Sequence, residues 1–346
     1  MLAKSLTLSS DNITYDLEDA VTESAKPAAR TALRAHLESL VPTSSSSGST
    51  ASRNTGHHSG EIAVRINAVS SRHALADLTE LGPLALAAVD AIVVPKVDSA
   101  ADLTFVSDVV RHILGTRASD RDLSSPLPLP KLIALIESAR AVMDLHAICS
   151  AGRSVFSSTL SPVHAQLDGL IFAAEDFALD LSISRTPSLT EFQYARSAVV
   201  TAARAFRLTS ALDLVCTAFR GDRGMATLAD ECRNGRGMGF TGKQCIHPSQ
   251  VAVIQQVFGR GAGANGIDNG VDESDADRRE LAWAVRVLVA AGRAAAAGRG
   301  AFVLDGAMID APVVGKAQQL VSLAERAGSA DYLATLHEQY CDQEPE

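Results

Sequence analysis

The stretch Leu132-Ile-Ala-Leu-Ile-Glu137 decides the fold class, because it is apolar along its length and ends in a carboxylate. A short run of this kind predicts a strand that is covered on both faces, as in a parallel sheet. Six further short runs are mostly apolar as well, and stretches of helical length separate them. The seven predicted strands are 13–16, 62–67, 91–96, 132–137, 167–173, 211–216 and 244–247.

The segments between these strands have the periodicity of amphipathic helices, with examples at 24–40, 100–114 and 189–206. Alternating strands and helices are typical of a parallel sheet or an α/β barrel. A chain of 346 residues, of which 47% are hydrophobic, can bury one large barrel or two ordinary domains.

Three polar segments interrupt the alternation, and a different pattern follows the last of them. The Ser/Gly-rich segment 42–60 is expected to be a disordered insertion, and 115–130 is expected to be a loop. The Gly/Asp-rich segment 259–277 is expected to be a flexible linker between a barrel domain, 1–258, and a C-terminal helical segment, 278–346. That segment is predicted to contain a long Ala-rich helix at 276–297, a short element at 301–310 and a last helix at 313–326.

Composition excludes several classes of partner. The net charge of −9 and the lack of a Lys/Arg cluster argue against binding to nucleic acid or to an anionic membrane. No apolar run approaches the ~18 residues of a membrane-spanning helix. The five cysteines are odd in number and form no CxxC pair, which indicates a reduced intracellular protein. Cys245 falls in the seventh predicted strand and is expected to be packed rather than reactive.

Polar residues follow the predicted strands at the end where an α/β barrel keeps its active site. They include Asp16-Leu-Glu18-Asp19, Arg65-Ile-Asn67, Lys96, Glu137, Glu175-Asp176 and His247. Glu137 and Asp176 could converge on one cation, and ligation by oxygen alone selects a hard ion such as Mg²⁺ or Mn²⁺. The alternative is that each carboxylate caps the helix that follows it.

Arg65 has two possible roles, and the sequence favours them equally. A strand-end guanidinium suits bidentate capture of a substrate carboxylate. It also suits an internal ion pair to Glu18 or Asp19, and the sequence alone does not decide between the two.

Several of these motifs, in this order, resemble the citrate lyase beta-subunit and malyl-CoA lyase group of the HpcH/HpaI aldolase superfamily. The matching segments span about residues 12–258 and are Tyr15-Asp-Leu-Glu-Asp-Ala-Val21, Val64-Arg-Ile-Asn67, Val94-Pro-Lys-Val97, Leu135-Ile-Glu-Ser-Ala-Arg140, Ala174-Glu-Asp-Phe177 and Gly239-Phe-Thr-Gly-Lys-Gln-Cys-Ile-His-Pro248. The C-terminal stretch Gly300-Ala-Phe-Val-Leu-Asp-Gly-Ala-Met-Ile-Asp-Ala-Pro312 resembles the lid of the malyl-CoA and citramalyl-CoA lyase branch.

The resemblance implies a TIM (β/α)8-type barrel with a C-terminal helical lid, and it implies roles for individual residues. Glu137 and Asp176 would bind Mg²⁺, with Mn²⁺ as a possible substitute, and Arg65 would bind the substrate carboxylate. Glu18 and Asp19 would support Arg65 and metal-bound water, while Ile246, His247 and Lys4 would contact the CoA thioester. Asp310 would act as the acid/base in a neighbouring subunit, so a homotrimer or hexamer is expected.

The implied reaction is Mg²⁺-dependent retro-Claisen cleavage of a 3-hydroxyacyl-CoA of the citramalyl-CoA or malyl-CoA type. Its products would be acetyl-CoA and a 2-keto acid. The chain departs from the family pattern because the family's first strand has no counterpart, which agrees with a count of seven strands where a closed barrel has eight.

Two alternatives therefore stay open. The chain could be an N-terminally truncated, inactive relative that acts as an oligomer partner, or a condensing enzyme resembling malate synthase. The resemblance favours the mitochondrial matrix if a transit peptide precedes the missing strand, and otherwise the cytoplasm.

Overall fold

Short apolar runs of the sequence form a seven-stranded, wholly parallel sheet in the first of two compact units, residues 1–254. The computed structural model describes residues 2–41, 60–115, 129–152, 166–259, 273–326 and 328–345. The strands pair in sequence order and are β1 (Asn12–Asp16), β2 (Glu61–Arg65), β3 (Ala91–Val94), β4 (Lys131–Ile136), β5 (Leu167–Phe172), β6 (Ser210–Asp213) and β7 (Gly242–Lys243). This arrangement is a TIM-like α/β half-barrel, as the strand–helix alternation predicts.

Helices connect successive strands, as parallel pairing requires. Before β1 lies α1 (Leu2–Ser5), and after β7 lies α10 (Val251–Phe258). The connecting helices are α2 (Lys26–Ser39), α3 (Ala74–Ala88), α4 (Ala100–Gly115), α5 (Ala139–Met143), α6 (Leu145–Gly152), α7 (Ala174–Leu181), α8 (Gln193–Ala205) and α9 (Gly221–Met238). The predicted helices at 24–40, 100–114 and 189–206 are confirmed as α2, α4 and α8, and the last of these is preceded by a 3-10 turn, Thr190–Phe192.

In the strands β2 to β5 both faces of the sheet are buried, which is why those strands are mostly apolar. Ala63, Val93, Ile133, Leu135 and Ile171 form a cluster on one face. The alternate positions, among them Val64, Ile92, Ala134 and Phe172, are almost fully buried as well. Because successive side chains point to opposite faces, this sheet needs a cover of helices on one side and its own interior on the other.

The seventh strand differs from the prediction. A strand was expected at 244–247, but β7 is Gly242–Lys243 and the chain leaves the sheet after it. The Gln250 side chain accepts hydrogen bonds from the main-chain N–H groups of Ile246 and His247, at 3.0 and 3.3 Å. These donors are therefore used by a turn and not by a neighbouring strand. Cys245, expected to be packed, is exposed.

An ionic network, here called the outer-face cluster, ties β6 and β7 to the surrounding helices, and all its members except Glu175 are buried or partly buried. Arg196 of α8 donates two hydrogen bonds to Asp213 of β6, at 2.9 and 2.7 Å, and both side chains are almost fully buried. Lys243 of β7 lies 3.0 Å from Glu231 of α9. The members are Glu175, Arg185, Arg196, Asp213, Glu231 and Lys243.

The second compact unit, residues 255–346, contains helices and a hairpin. Its elements are α11 (Glu273–Ala296), β8 (Phe302–Leu304), β9 (Ala307–Ile309), α12 (Ala311–Arg326) and α13 (Ala330–Gln339). The predicted long helix and the helix at 313–326 are present as α11 and α12, and the short element at 301–310 is an antiparallel hairpin. The prediction that 313–326 is the last helix is wrong, because α13 follows and buries Leu333 and Leu336.

Most of the segments expected to be irregular lie outside the described residues. This holds for nearly all of 42–60 and 115–130 and for the larger part of 259–277, although α11 already begins at Glu273. Within the described part of the chain, no helix is both long enough and apolar enough to cross a membrane.

Candidate active site

The carboxyl ends of neighbouring strands bring a group of charged side chains together, here called the strand-end cluster. Asp16 and Arg65 are the last residues of β1 and β2 and face each other in the strand register. Lys96, Glu137 and Asp176 come shortly after β3, β4 and β5. With Glu18 these residues make six members, and they occupy the edge where enzymes of this architecture carry out their chemistry.

Arg65 is held by a bidentate ion pair. Its Nε and Nη2 donate to the two carboxylate oxygens of Asp16, at 2.7 and 2.6 Å. Its Nη1 has longer contacts, 3.3 Å to Glu18 and 3.6 Å to Asp19. Burial disfavours the charge, but the hydrogen bonds and negative charge of Asp16 outweigh it and raise the pKa of Arg65. The internal ion pair considered for Arg65 is therefore present, and Asp16 is its main partner.

Glu18 and Lys96 link Arg65 to the two carboxylates expected to bind metal. The Lys96 ammonium donates to Glu18 Oε1 at 3.0 Å and lies 3.9 Å from Asp176 Oδ1. Glu18 is 7% exposed. Burial raises its pKa, and the hydrogen bond and positive charge of Lys96 only partly oppose this effect.

Glu137 and Asp176 meet at the ends of β4 and β5. Glu137 is buried, and one of its oxygens accepts a 2.5 Å hydrogen bond from the main-chain N–H of Lys96. Burial is the main cause that raises the pKa of Glu137 to about 8, and the hydrogen bond and charge of Asp176 add to it. The two carboxylates therefore repel each other unless a proton or a cation lies between them.

The cluster as a whole is short of positive charge. Its four carboxylates, Asp16, Glu18, Glu137 and Asp176, surround two cations, Arg65 and Lys96. A divalent cation would offset part of this excess of negative charge, to which Asp19 beside Arg65 also contributes, and an all-oxygen donor set selects a hard ion. Among the described residues no group of three or more His, Cys, Asp or Glu side chains is arranged as a metal site. A pair of carboxylates fits Mg²⁺ best, since Mg²⁺ keeps several water or substrate ligands.

A fully hydrogen-bonded layer beneath the cluster fixes the turn that carries Glu18. The buried Lys26 ammonium donates to the main-chain carbonyls of Leu17 and Glu18, each at 3.0 Å, and to Asn67 Oδ1 at 2.6 Å. Asn67 in turn donates its main-chain and side-chain N–H groups to Asp77, both at 2.7 Å. Ordering of this turn restricts Glu18, and Glu18 then restricts Arg65 and Lys96.

Four of the residues expected from the sequence lie in other elements. Ile246 and His247 are exposed in the turn after β7, where the His247 ring stacks on Phe219 with centroids 4.9 Å apart. Lys4 is exposed on α1. Asp310 belongs to the second unit and accepts a 3.3 Å hydrogen bond from the main-chain N–H of Val313, so it caps the start of α12.

Of the expected residues, Arg65, Glu18, Asp19, Glu137 and Asp176 are brought together. Asp16 and Lys96 join them, although no role was predicted for either. Their position in the sequence could have identified them as site residues, since each is a charged residue at the end of an apolar strand. Lys96 also has a φ of 49°, a backbone conformation that is uncommon outside glycine and often marks functional sites.

The sequence of this chain matches the model of a known protein family. The model of the HpcH/HpaI aldolase/citrate lyase family matches residues 1–248, which include every member of the strand-end cluster. The chain belongs to this family. Its two compact units differ in this respect, because the whole of the match lies in the first unit.

Relatives of this family member agree with the motif-based resemblance. The mitochondrial citramalyl-CoA lyase of Rattus norvegicus is 31% identical over 315 residues, which cover 91% of this chain and 79% of the relative. A citrate lyase subunit beta-like protein of Deinococcus radiodurans is 31% identical over 329 residues, covering 93% and 92%. The crystal structure of CitE from Mycobacterium tuberculosis with magnesium, acetoacetate and coenzyme A aligns with a TM-score of 0.60 and 27% identity, covering 91% of this chain and 90% of CitE.

Proposed function

We propose that this family member is a Mg²⁺-dependent carbon–carbon lyase that cleaves a 3-hydroxyacyl-CoA of the citramalyl-CoA or malyl-CoA type. The single observation that carries the proposal is the strand-end cluster, in which four carboxylates surround two cations. A citramalyl-CoA lyase among the relatives and the magnesium and coenzyme A bound to CitE support the choice of cofactor and substrate class.

Glu137 and Asp176 would hold the Mg²⁺ ion, with Mn²⁺ as a possible substitute, because they are the two carboxylates that meet. When bound, the ion would polarise the oxygens of the substrate's hydroxyl and carboxylate groups. Asp16 fixes the Arg65 guanidinium through two parallel hydrogen bonds from Nε and Nη2. The remaining nitrogen, Nη1, has only longer contacts and would bind the substrate carboxylate. Glu18 and Asp19 would keep that nitrogen in place.

Cleavage requires a base for the substrate hydroxyl, and we assign that role to Asp310. Loss of the hydroxyl proton lets the carbon–carbon bond break, and its electron pair passes to the α-carbon of the thioester. The products are a 2-keto acid and the enolate of acetyl-CoA, which then takes up a proton. Ile246, His247 and Lys4 would contact the CoA portion.

We further propose that the hairpin and α12, which carry Asp310, act as a lid and that Asp310 serves a neighbouring subunit of a homotrimer or hexamer. Mixing two inactive variants, Glu137→Gln and Asp310→Ala, tests this arrangement. Subunit exchange should restore part of the activity, because mixed oligomers contain sites with both residues intact. Mixtures that stay inactive after verified exchange would contradict it.

The mitochondrial matrix is the compartment that the rat relative's name favours, and the cytoplasm is the alternative. Fractionation of cells that express the native gene distinguishes the two.

The reaction itself is tested with the purified chain and a panel of citramalyl-CoA, malyl-CoA and acetyl-CoA plus glyoxylate. Release of acetyl-CoA from a hydroxyacyl-CoA should require Mg²⁺ and should stop when excess EDTA is added. Activity that persists in EDTA would contradict the metal requirement. CoA release from acetyl-CoA plus glyoxylate alone would favour the condensing enzyme.

The inactive relative is the second candidate. The observation that favours it is the strand order, which in the described part of the chain runs from β1 to β7 without a pairing of β1 with β7. A folded, oligomeric protein that cleaves none of the thioesters would support it.

A further inference from the structure

Lys96 stands out in the strand-end cluster because it uses both its main chain and its side chain there. Its main-chain N–H donates to Glu137 Oε1 at 2.5 Å. Its ammonium donates to Glu18 Oε1 at 3.0 Å, lies 3.9 Å from Asp176 Oδ1 and is attracted by the charge of Glu137. The residue therefore contacts or faces three of the four carboxylates.

The backbone of Lys96 keeps the ammonium in this place. Its φ of 49° is in the left-handed region, which costs free energy for a residue with a Cβ. The main-chain hydrogen bond to Glu137 anchors the residue in this conformation. With the main chain anchored, the side chain reaches across the carboxyl ends of the strands to Glu18 on the far side of the cluster.

The same carboxylates are those that the proposed function assigns to the metal. An ammonium within 4 Å of Asp176 and a divalent cation bound to the same carboxylate repel each other. The Lys96 side chain is also 40% exposed, so it has room to turn toward solvent.

We propose that the Lys96 ammonium is an internal counter-ion that competes with the metal for Glu137 and Asp176 and so sets the metal affinity of the site. Lys96 is a positioning residue in this account: it limits mutual repulsion of the carboxylates and gives way to the divalent cation. The inference rests on the proposed function, because it takes Glu137 and Asp176 as the metal ligands.

Lys96→Gln tests the proposal, because it removes the charge and leaves the main-chain donor to Glu137 in place. Isothermal titration calorimetry with MgCl₂ should show Mg²⁺ binding about tenfold tighter than in the parent protein, since one repulsive charge is removed from a partly buried site. Lys96→Arg keeps the positive charge and its repulsion of the metal, so it should bind Mg²⁺ no more than about twofold tighter than the parent protein. Unchanged or weaker binding by Lys96→Gln would overturn the proposal.

Lys131→Gln is the matched control. Lys131 begins β4, at the opposite end of the strands, where its ammonium is 2.8 Å from Asp168. The substitution changes the net charge equally but should leave Mg²⁺ affinity unchanged, so tighter binding in Lys131→Gln as well would attribute the effect to overall charge and overturn the proposal.

A measurement on the unaltered protein covers the case in which Lys96→Gln fails to fold. Reductive methylation of Lys96, followed by mass spectrometry, should become faster when Mg²⁺ is added, because the ammonium leaves the carboxylates. A rate that stays constant would contradict the proposal. If the parent protein and Lys96→Gln bind Mg²⁺ equally well, only the role of Lys96 is overturned. If neither protein binds Mg²⁺, the proposed function is overturned as well.

Discussion

The strand-end cluster and the outer-face cluster contain similar side chains but differ in charge balance and in which members are buried. In the outer-face cluster three cations, Arg185, Arg196 and Lys243, match three carboxylates, Glu175, Asp213 and Glu231. Asp213 and Lys243 are fully buried there. In the strand-end cluster four carboxylates meet two cations, and the Asp176 and Lys96 side chains are 39% and 40% exposed. The balanced network stabilises the fold, and the unbalanced one is available for chemistry.

The largest effect on stability is expected in the outer-face cluster. Arg196→Met leaves Asp213 charged and buried without its bidentate partner, and breaking a buried pair in this way costs about 3–5 kcal/mol of unfolding free energy. Urea denaturation measures it, and the turnover of the remaining folded enzyme should be unchanged. A loss below about 1 kcal/mol would show that this cluster is not a stabilising element.

Arg65→Lys applies a milder charge-conserving change to the strand-end cluster. Lysine cannot form the two parallel hydrogen bonds to Asp16, so the substrate-binding nitrogen loses its fixed position. We expect kcat/KM to fall about 100-fold, equivalent to about 2.7 kcal/mol, with unfolding free energy changed by less than about 1 kcal/mol. Steady-state kinetics and urea denaturation together check the prediction. Full activity with a large loss of stability would reverse the assignment of the two clusters.

Gly235→Ala probes how tightly the outer-face cluster is packed. A Cβ at this position in α9 would lie 2.4 Å from Asp213 Oδ2, so either the helix or the ion pair must shift. Overpacking of this kind costs about 1–3 kcal/mol, measurable by thermal or urea unfolding. Gly237→Ala, on the same helix with open space around the added Cβ, is the matched control and should not destabilise the fold. Equal stabilities of the two variants would contradict the packing account.

Thiol labelling tests whether the outer-face cluster stays closed to solvent in the folded protein. Cys232 lies beside the outer-face cluster, and burial raises its pKa to about 12, as it does for Cys149. Below that pKa the group stays a protonated thiol, so at pH 8 neither cysteine should react with iodoacetamide in the folded protein. Cys245, in the turn after β7, and Cys341 are exposed and should be labelled first, as peptide mass spectrometry can show. Early labelling of Cys232 would indicate that the outer-face region opens.

The same contrast explains what could be predicted from the sequence. The strand ends were visible because apolar runs are followed by single charged residues, and this placed Arg65, Glu137 and Asp176 correctly at the strand ends. The sequence did not show which side chains form ion pairs with those residues. Asp16 and not Glu18 or Asp19 holds Arg65 most closely, because the parallel register places Asp16 opposite it. Register depends on pairing between strands, which a single sequence does not encode locally.

The seventh strand shows a second limit. The apolar residues near Ile246 suggested a strand, but a side chain, Gln250, takes the main-chain donors of Ile246 and His247. A capping interaction of this kind competes with sheet pairing and depends on a polar residue beyond the predicted strand. The outer-face cluster was missed for a related reason, because Arg196, Asp213 and Lys243 are far apart in sequence and meet only after α8, β6 and β7 have packed.

The central claim is that the strand-end cluster binds a divalent cation. Calorimetric titration of the protein and of Asp176→Asn with MgCl₂ tests it most directly, with Asp168→Asn, at the amino end of the strands, as control. The account predicts one Mg²⁺ site in the parent protein and in Asp168→Asn, and loss of that site in Asp176→Asn. Mg²⁺ binding that is equal in all three proteins, or absent from the parent protein, would contradict it.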